Sequence, residues 1–340
     1  DHRDLHSFPT RRSSDLRSLT ARHIIIATGS YHEPLKAKLP QNKVVELDRF
    51  FQLEELPKNI VVTGESSIAV ELAQFFSLID RNVTLLVPGD RIMPLADEYL
   101  AHWMLNKLKR DKINVIFNAA EESDSSSFDG EELIVGSHRI PCDIVINAKS
   151  RKGVIPPADI DLGVENGFII TNEHFQTRYP GVFAIGDVNG RSMFAHVGSA
   201  QGYHTINFIK GVKEVLDDTR YPMNMYSDPE IAQIGRTEAQ LREEGIEYKV
   251  SEFPLSANGK AMTEGSTEGF VRMLSEVKYG QVLGVQIVSH NATDMIAEAA
   301  AFMQIEATVY DVAQTIHAHP TLSEVFMEAG FAAVDKAIHI

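Results

Sequence analysis

Cysteine is nearly absent from this 340-residue sequence, basic residues are outnumbered, and no long apolar run occurs. Each scarcity excludes something. With Cys142 alone there is no disulfide framework, no cysteine metal cluster and no dithiol redox pair within the chain, which suits a reducing cytoplasm. Lys plus Arg is 32 against 47 for Asp plus Glu, a net charge of -15, which argues against a nucleic acid partner. Apolar residues make up 44% of the chain, yet no stretch approaches the ~18–20 uninterrupted ones that a bilayer crossing needs. At roughly 100–200 residues per domain, the length implies two or three domains.

Residues 1–16 have no usable hydrophobic period and neither the apolar core nor the cleavage site of a signal peptide. The run Ser7 to Leu16 resembles translated read-through of a sequencing-library adapter. We expect a non-native scar here, with a disordered polar tail as the alternative, and set it apart from the fold.

His23 to Gly29, HIIIATG, is a β-branched run stopped by glycine, the pattern of a strand buried on both faces. Asn59 to Gly64 repeats that grammar, and a helical stretch (Ser67 to Leu78) and a strand (Val83 to Val87) follow, a parallel βαβ unit of about 30 residues. Beyond Pro94 a helix carries Leu100, Met104 and Leu108 on one face. Strands continue at Asn114 to Phe117 and Glu132 to Val135, around a polar loop from Glu121 to Gly130, and again at Asp143 to Ala148 and Val182 to Asp187. From about Tyr221 strands (Glu247 to Phe253, Gly269 to Leu274, Val282 to Val288) precede helices (Ala292 to Gln304, Leu322 to Ala337), which predicts a separate α+β domain.

Three places carry chemistry. Gly64-Glu65-Ser66-Ser67-Ile68-Ala69 keeps the spacing of a G-x-G-x-x-G dinucleotide fingerprint with only its first glycine, between a buried strand and a helix whose N-terminal amides favour a pyrophosphate. Ser66 and Glu65 crowd the phosphate position, and Val87 stands where an acid would hold the ribose 2′-hydroxyl. A Rossmann-like half that binds nothing tightly is the rival reading. Gly186-Asp187 puts a carboxylate at the end of a parallel strand, or simply makes a turn. In His317-Ala318-His319-Pro320-Thr321-Leu322-Ser323-Glu324, Glu324 can reach back to His319, a general-base arrangement; a capped helix with surface histidines and the start of a zinc site are the alternatives.

In this order these pieces resemble the pyridine nucleotide-disulfide oxidoreductase family, and within it the lipoamide-specific branch, over roughly residues 17–340. The landmarks are Ile26 to Ser30, the βαβ unit ending its fingerprint at Glu71, Gly181 to Asp187, Tyr226 to Glu230, and His317 to Glu324. The resemblance implies an α/β fold: Rossmann-like FAD- and NAD(P)-binding domains followed by an α+β C-terminal dimerisation domain. Residues 17–48 and 149–218 would be the remnant of the FAD domain, 49–148 the NAD(P) domain and 219–340 the dimerisation domain. FAD would lie on Thr28, Gly29, Ser30 and Asp187, with Met193, Phe194, Ala195 and His196 along its isoalloxazine. NAD would lie, on a degenerate site, over Gly64, Ser66, Ile68, Ala69, Glu71, Val87 and Ser150.

The implied activity is FAD-dependent oxidation of a dihydrolipoyl dithiol with electron transfer to NAD, in a cytoplasmic homodimer serving a 2-oxoacid dehydrogenase complex or similar. His319, held by Glu324, would be the catalytic base. The family's Cys-x-x-x-x-Cys precedes the Ala-Thr-Gly strand, so we expect an N-terminally truncated, inactive chain here. Cys142 reads as a small buried residue. Two other readings stay open: a nucleotide-binding-impaired scaffold paralogue, and a related flavin reductase with another thiol or disulfide substrate.

Overall fold

The computed structural model describes residues 20–35, 39–119, 127–217 and 220–339; the expectations for residues 1–16 and for most of the polar loop lie outside them. The chain divides into two units, one of residues 1–29 and 153–216, the other of 30–152 and 217–340.

The larger unit is built on a five-stranded parallel sheet in the order Val44–Glu46, Ile144–Asn147, Asn59–Thr63, Asn82–Leu86, Asn114–Ile116. Its central strands are almost fully buried because both faces are covered. The helices Ser67–Leu78 and Glu98–Arg110 cover one face. Leu100, Met104 and Leu108 are each 0% exposed, burial that contributes about 1.5–3 kcal/mol per side chain. Asp97 caps the second helix by accepting from the Tyr99 amide, and Lys107, Lys109 and Arg110 in its last turn complement the helix dipole. On the other face, Val61, Leu86 and Val145 pack against Leu133, Val135 and Ile140 of a three-stranded antiparallel sheet. The strand Val44–Glu46 pairs with Ile144–Asn147, so it stands in this unit and not with residues 153–216, with which the sequence reading groups residues 17–48.

Residues beyond 220 form a five-stranded antiparallel sheet in the order Met223–Met225, Glu230–Gly235, Val282–Ser289, Phe270–Glu276, Tyr248–Pro254. The helices Ala292–Gln304, Val309–Gln314 and Glu324–Ala332 contribute to its core. The last ends five residues before the Ala337 that the sequence suggests, where Ala333 caps it and Asp335 turns to a positive φ. This sheet shares a core with the parallel one: Met225, Ile231, Phe270 and Val288 join the cluster of Leu72, Leu100 and Met104. Polar contacts reinforce the junction. Asp97, 1% exposed, accepts from the amides of Tyr99 (2.9 Å) and Glu238 (2.7 Å), and its own amide donates to Gln233 Oε1 at 2.7 Å.

In the smaller unit Ile24–Ile26 pairs in parallel with Val182–Ala184. Ile24 is 53% and Ile25 37% exposed, not buried on both faces, because the strand has one hydrogen-bonded neighbour among the described residues. Ile26 packs with Leu162, Ile169, Ala184 and Val188. The helix Ala195–Ile209 completes this unit.

Candidate active site

Strand order reverses between Asn59–Thr63 and Ile144–Asn147, the topological switch point at which open α/β sheets bind ligands. Gly64 closes it. Its φ is +153°, and a Cβ there would lie 2.2 Å from the Ala148 carbonyl oxygen, so only glycine lets the two strand ends approach. Ser66 caps the following helix without a side-chain bond to it, which leaves first-turn amides, around Ser67, Ile68 and Ala69, for an anion. Ala69 is 0% exposed and packs in the core, as the third fingerprint position must. These features fit a nucleotide pyrophosphate. Val87 is 0% exposed and offers no acceptor. Ser150 lies beyond the end of the neighbouring strand, its hydroxyl donating to Glu33 Oε2 at 3.0 Å.

Glu71 does something other than face the switch point. Its Oε1 accepts from the Tyr226 amide at 2.9 Å; burial raises its pKa above the usual carboxylate value, against the lowering effect of that bond. One turn on, Gln74 exchanges hydrogen bonds with the Asp228 backbone, so this helix face ties the two sheets together.

In the smaller unit, Thr28 donates its hydroxyl to the Val154 carbonyl, and Gly29, at φ +77° with open space where a Cβ would stand, accepts from the Val154 amide at 2.9 Å. Ser30 begins a short strand of the other unit. Asp187 sits in the tight turn Gly186–Asn189, which Gln201 holds by accepting from the Gly186 amide (2.7 Å) and from Asn189 Nδ2 (2.9 Å). Gln201 Nε2 and the neighbouring Ser192 hydroxyl are buried without partners, orphaned polar atoms beside this turn. Met193, Ala195 and His196 are exposed at the start of the helix, with the Phe194 and His196 rings 5.3 Å apart. A hydrogen-bonded turn carrying a carboxylate, followed by an exposed, partly aromatic helix start, fits a flavin.

The carboxyl-terminal cluster holds two histidine–carboxylate pairs. His319 Nδ1 lies 2.9 Å from Glu324 Oε1, and Glu324 Oε2 accepts from the Thr321 amide at 2.8 Å, so both carboxylate oxygens are fixed. The His319 side chain is 77% exposed, leaving Nε2 open outward. Burial works to raise the Glu324 carboxyl, but the Thr321 amide and the His319 ring outweigh it and hold it below the usual range. His317 is the opposite case: its side chain is 6% exposed, Nδ1 meets the Thr315 carbonyl, and Nε2 meets Glu298 Oε1 at 2.5 Å. Glu298 escapes sequence reasoning, since it lies on the helix Ala292–Gln304, 19 residues before His317, and no local spacing marks it. The Cys142 thiol is 0% exposed and pushed up to about 12, chiefly by burial, so it stays a protonated, inert thiol.

Residues 3–202 match the pyridine nucleotide-disulphide oxidoreductase family and residues 221–330 its dimerisation domain. The chain is 34% identical over 330 residues to dihydrolipoyl dehydrogenase 1, mitochondrial, of Arabidopsis thaliana, covering 94% of this chain and 65% of the relative. It is 35% identical over 334 residues to dihydrolipoyl dehydrogenase of Bacillus subtilis, covering 94% of this chain and 70% of that protein. The chain thus spans about two thirds of the length of these relatives. In fold it is similar to the crystal structure of LpdA from Mycobacterium tuberculosis, with a TM-score of 0.82 at 21% identity over 91% of this chain and 69% of that one. No helix among the described residues is long and apolar enough to cross a membrane. Shared landmarks at this identity, two matching domains and a common fold make this chain a member of the pyridine nucleotide-disulphide oxidoreductase family, whose proteins use FAD and NAD.

Proposed function

We propose that this chain belongs to a dihydrolipoyl dehydrogenase, in which two electrons pass from a protein-bound dithiol to NAD with the net release of one proton. The observation that carries the reading is the His319–Glu324 pair, an exposed imidazole whose inner nitrogen is fixed by a carboxylate that is itself fixed by a backbone amide. Such a ring accepts a proton at Nε2, and Glu324 stabilises the imidazolium formed. The proton comes from a substrate thiol, because the thiolate is the nucleophile that attacks a disulfide. Bound FAD supplies the two-electron relay between sulfur and nicotinamide. Thr28, Gly29 and Asp187 would hold it, with Met193 to His196 alongside, and Gly64 to Ala69 would hold the NAD pyrophosphate.

The chain cannot supply the reacting disulfide from its single buried cysteine, so the sulfur pair comes from outside these 340 residues. Residues 221–330 would pair two copies, and the dithiol would be the dihydrolipoyl group of a cytoplasmic 2-oxoacid dehydrogenase complex. The test is turnover. The 340-residue chain purified alone should bind FAD yet reduce no NAD with dihydrolipoamide; robust turnover by it would contradict the assignment of the sulfur pair. Side-by-side assay of lipoamide and glutathione disulfide with the protein carrying that pair separates the proposed substrate from another disulfide.

A further inference from the structure

The end of the strand Asn82–Leu86, where an acid would read the adenosine ribose, carries Val87, yet a carboxylate is there all the same. Glu65, the residue after Gly64, turns its side chain across the sheet end and accepts the Gly89 amide on Oε2 at 3.1 Å. A Cβ on Gly89 would lie 2.9 Å from that oxygen, so glycine at 89 makes room for it. The Glu65 carbonyl is fixed too, accepting from the Met93 amide at 2.6 Å. The neighbouring Asp90 is exposed and adds a second negative charge. Arg91, in the same turn, donates one N–H to the Pro94 carbonyl.

We infer that Glu65 has taken over the selection of the ribose from position 87: its free oxygen accepts from the 2′-hydroxyl of NAD, and its charge rejects the 2′-phosphate of NADP. The inference rests on the reading of this switch point as a pyridine nucleotide site. A carboxylate beside a vicinal hydroxyl makes a charge-assisted bond, whereas the same carboxylate beside a phosphate of about -1.5 to -2 charge faces like-charge repulsion in a partly desolvated crevice.

Calorimetric titration of the full 340-residue chain with ADP-ribose and with 2′-phospho-ADP-ribose tests it without turnover. The wild type should prefer ADP-ribose by about 100-fold or more, and Glu65→Gln, which keeps an acceptor for the Gly89 amide, should shrink that preference at least tenfold, mostly by tighter binding of the phosphorylated probe. Raising the salt concentration should narrow the wild-type preference in the same direction, a measurement that needs no variant. An unchanged ratio in Glu65→Gln together with a salt-independent wild-type ratio, both probes binding, would overturn the role of Glu65 alone. If neither probe binds the wild type, the nucleotide reading itself fails and this inference falls with it.

Discussion

Replacing Asp97 by alanine tests whether the parallel and antiparallel sheets of the larger unit stand as one folded body. The carboxylate is 1% exposed and serves two helix starts at once, accepting from Tyr99 in the helix Glu98–Arg110 and from Glu238 in the helix Glu238–Glu243. Loss of the first cap costs about 1 kcal/mol. Loss of the second leaves the part-buried Glu238 amide without its acceptor, about 1–3 kcal/mol. Together these give about 2–4 kcal/mol, a large share of the 5–15 kcal/mol typical of a domain. Trp103 reports on the right place: it is the only tryptophan, it lies in the capped helix, and its ring meets Phe270 of the antiparallel sheet edge-on at 6.4 Å. Urea denaturation followed by Trp103 fluorescence should show the Asp97→Ala unfolding free energy lowered by that amount, with a correspondingly lower midpoint, and Asp97→Asn intermediate because it retains one acceptor. An Ala variant within about 0.5 kcal/mol of wild type would refute the reasoning, since only surface substitutions are expected in that range.

Other outcomes follow from the same geometry. Native protein at pH 8 should resist iodoacetamide at Cys142, whose thiol is pushed up to about 12, and label on denaturation; rapid native labelling seen by mass spectrometry would contradict its burial. Gly64→Ala, placing a methyl 2.2 Å from the Ala148 oxygen at a φ of +153°, should destabilise the larger unit by about 1–3 kcal/mol and weaken ADP-ribose binding in calorimetry. The Glu324 carboxyl has a lowered folded-state pKa, so its contribution to stability is present above the unfolded value of 4.5 and lost as pH falls through the folded one. Glu324→Gln should therefore cost stability at neutral pH and approach wild type on acidification, and a gap that widened with acid would reverse the sign.

Much of the fold was legible because period and punctuation agree. The helices Ser67–Leu78 and Ala292–Gln304 and the strand Glu132–Val135 stand at the residues the pattern gives, since each alternates or recurs cleanly between breakers. The helix Ala195–Ile209 was not visible as one, for Gly198 and Gly202 depress helix propensity within it. Their reason is tertiary: a Cβ on Gly198 would lie 3.3 Å from the Gly186 Cα, so the glycine lets the helix close on the Asp187 turn. The pairing of His319 with Glu324 could be read from spacing because both lie on one turn into a helix. That of His317 with Glu298 could not, because the helix Ala292–Gln304 meets the segment after Gln314 only through the tertiary fold. Nor does sequence reveal that Glu71 turns toward Tyr226, or that Glu65 turns toward Gly89, because each depends on where a distant backbone amide comes to rest.

The most direct test of the proposed chemistry is the rate of dihydrolipoamide-dependent NAD reduction by the protein that carries these residues together with its redox disulfide, comparing His319→Gln with wild type at equal FAD content. A positioned base contributes about 10²–10⁴-fold, so the variant should fall by that factor while its flavin stays bound. A rate equal to wild type would show that the thiol proton goes elsewhere and that the His319–Glu324 pair is only a helix cap.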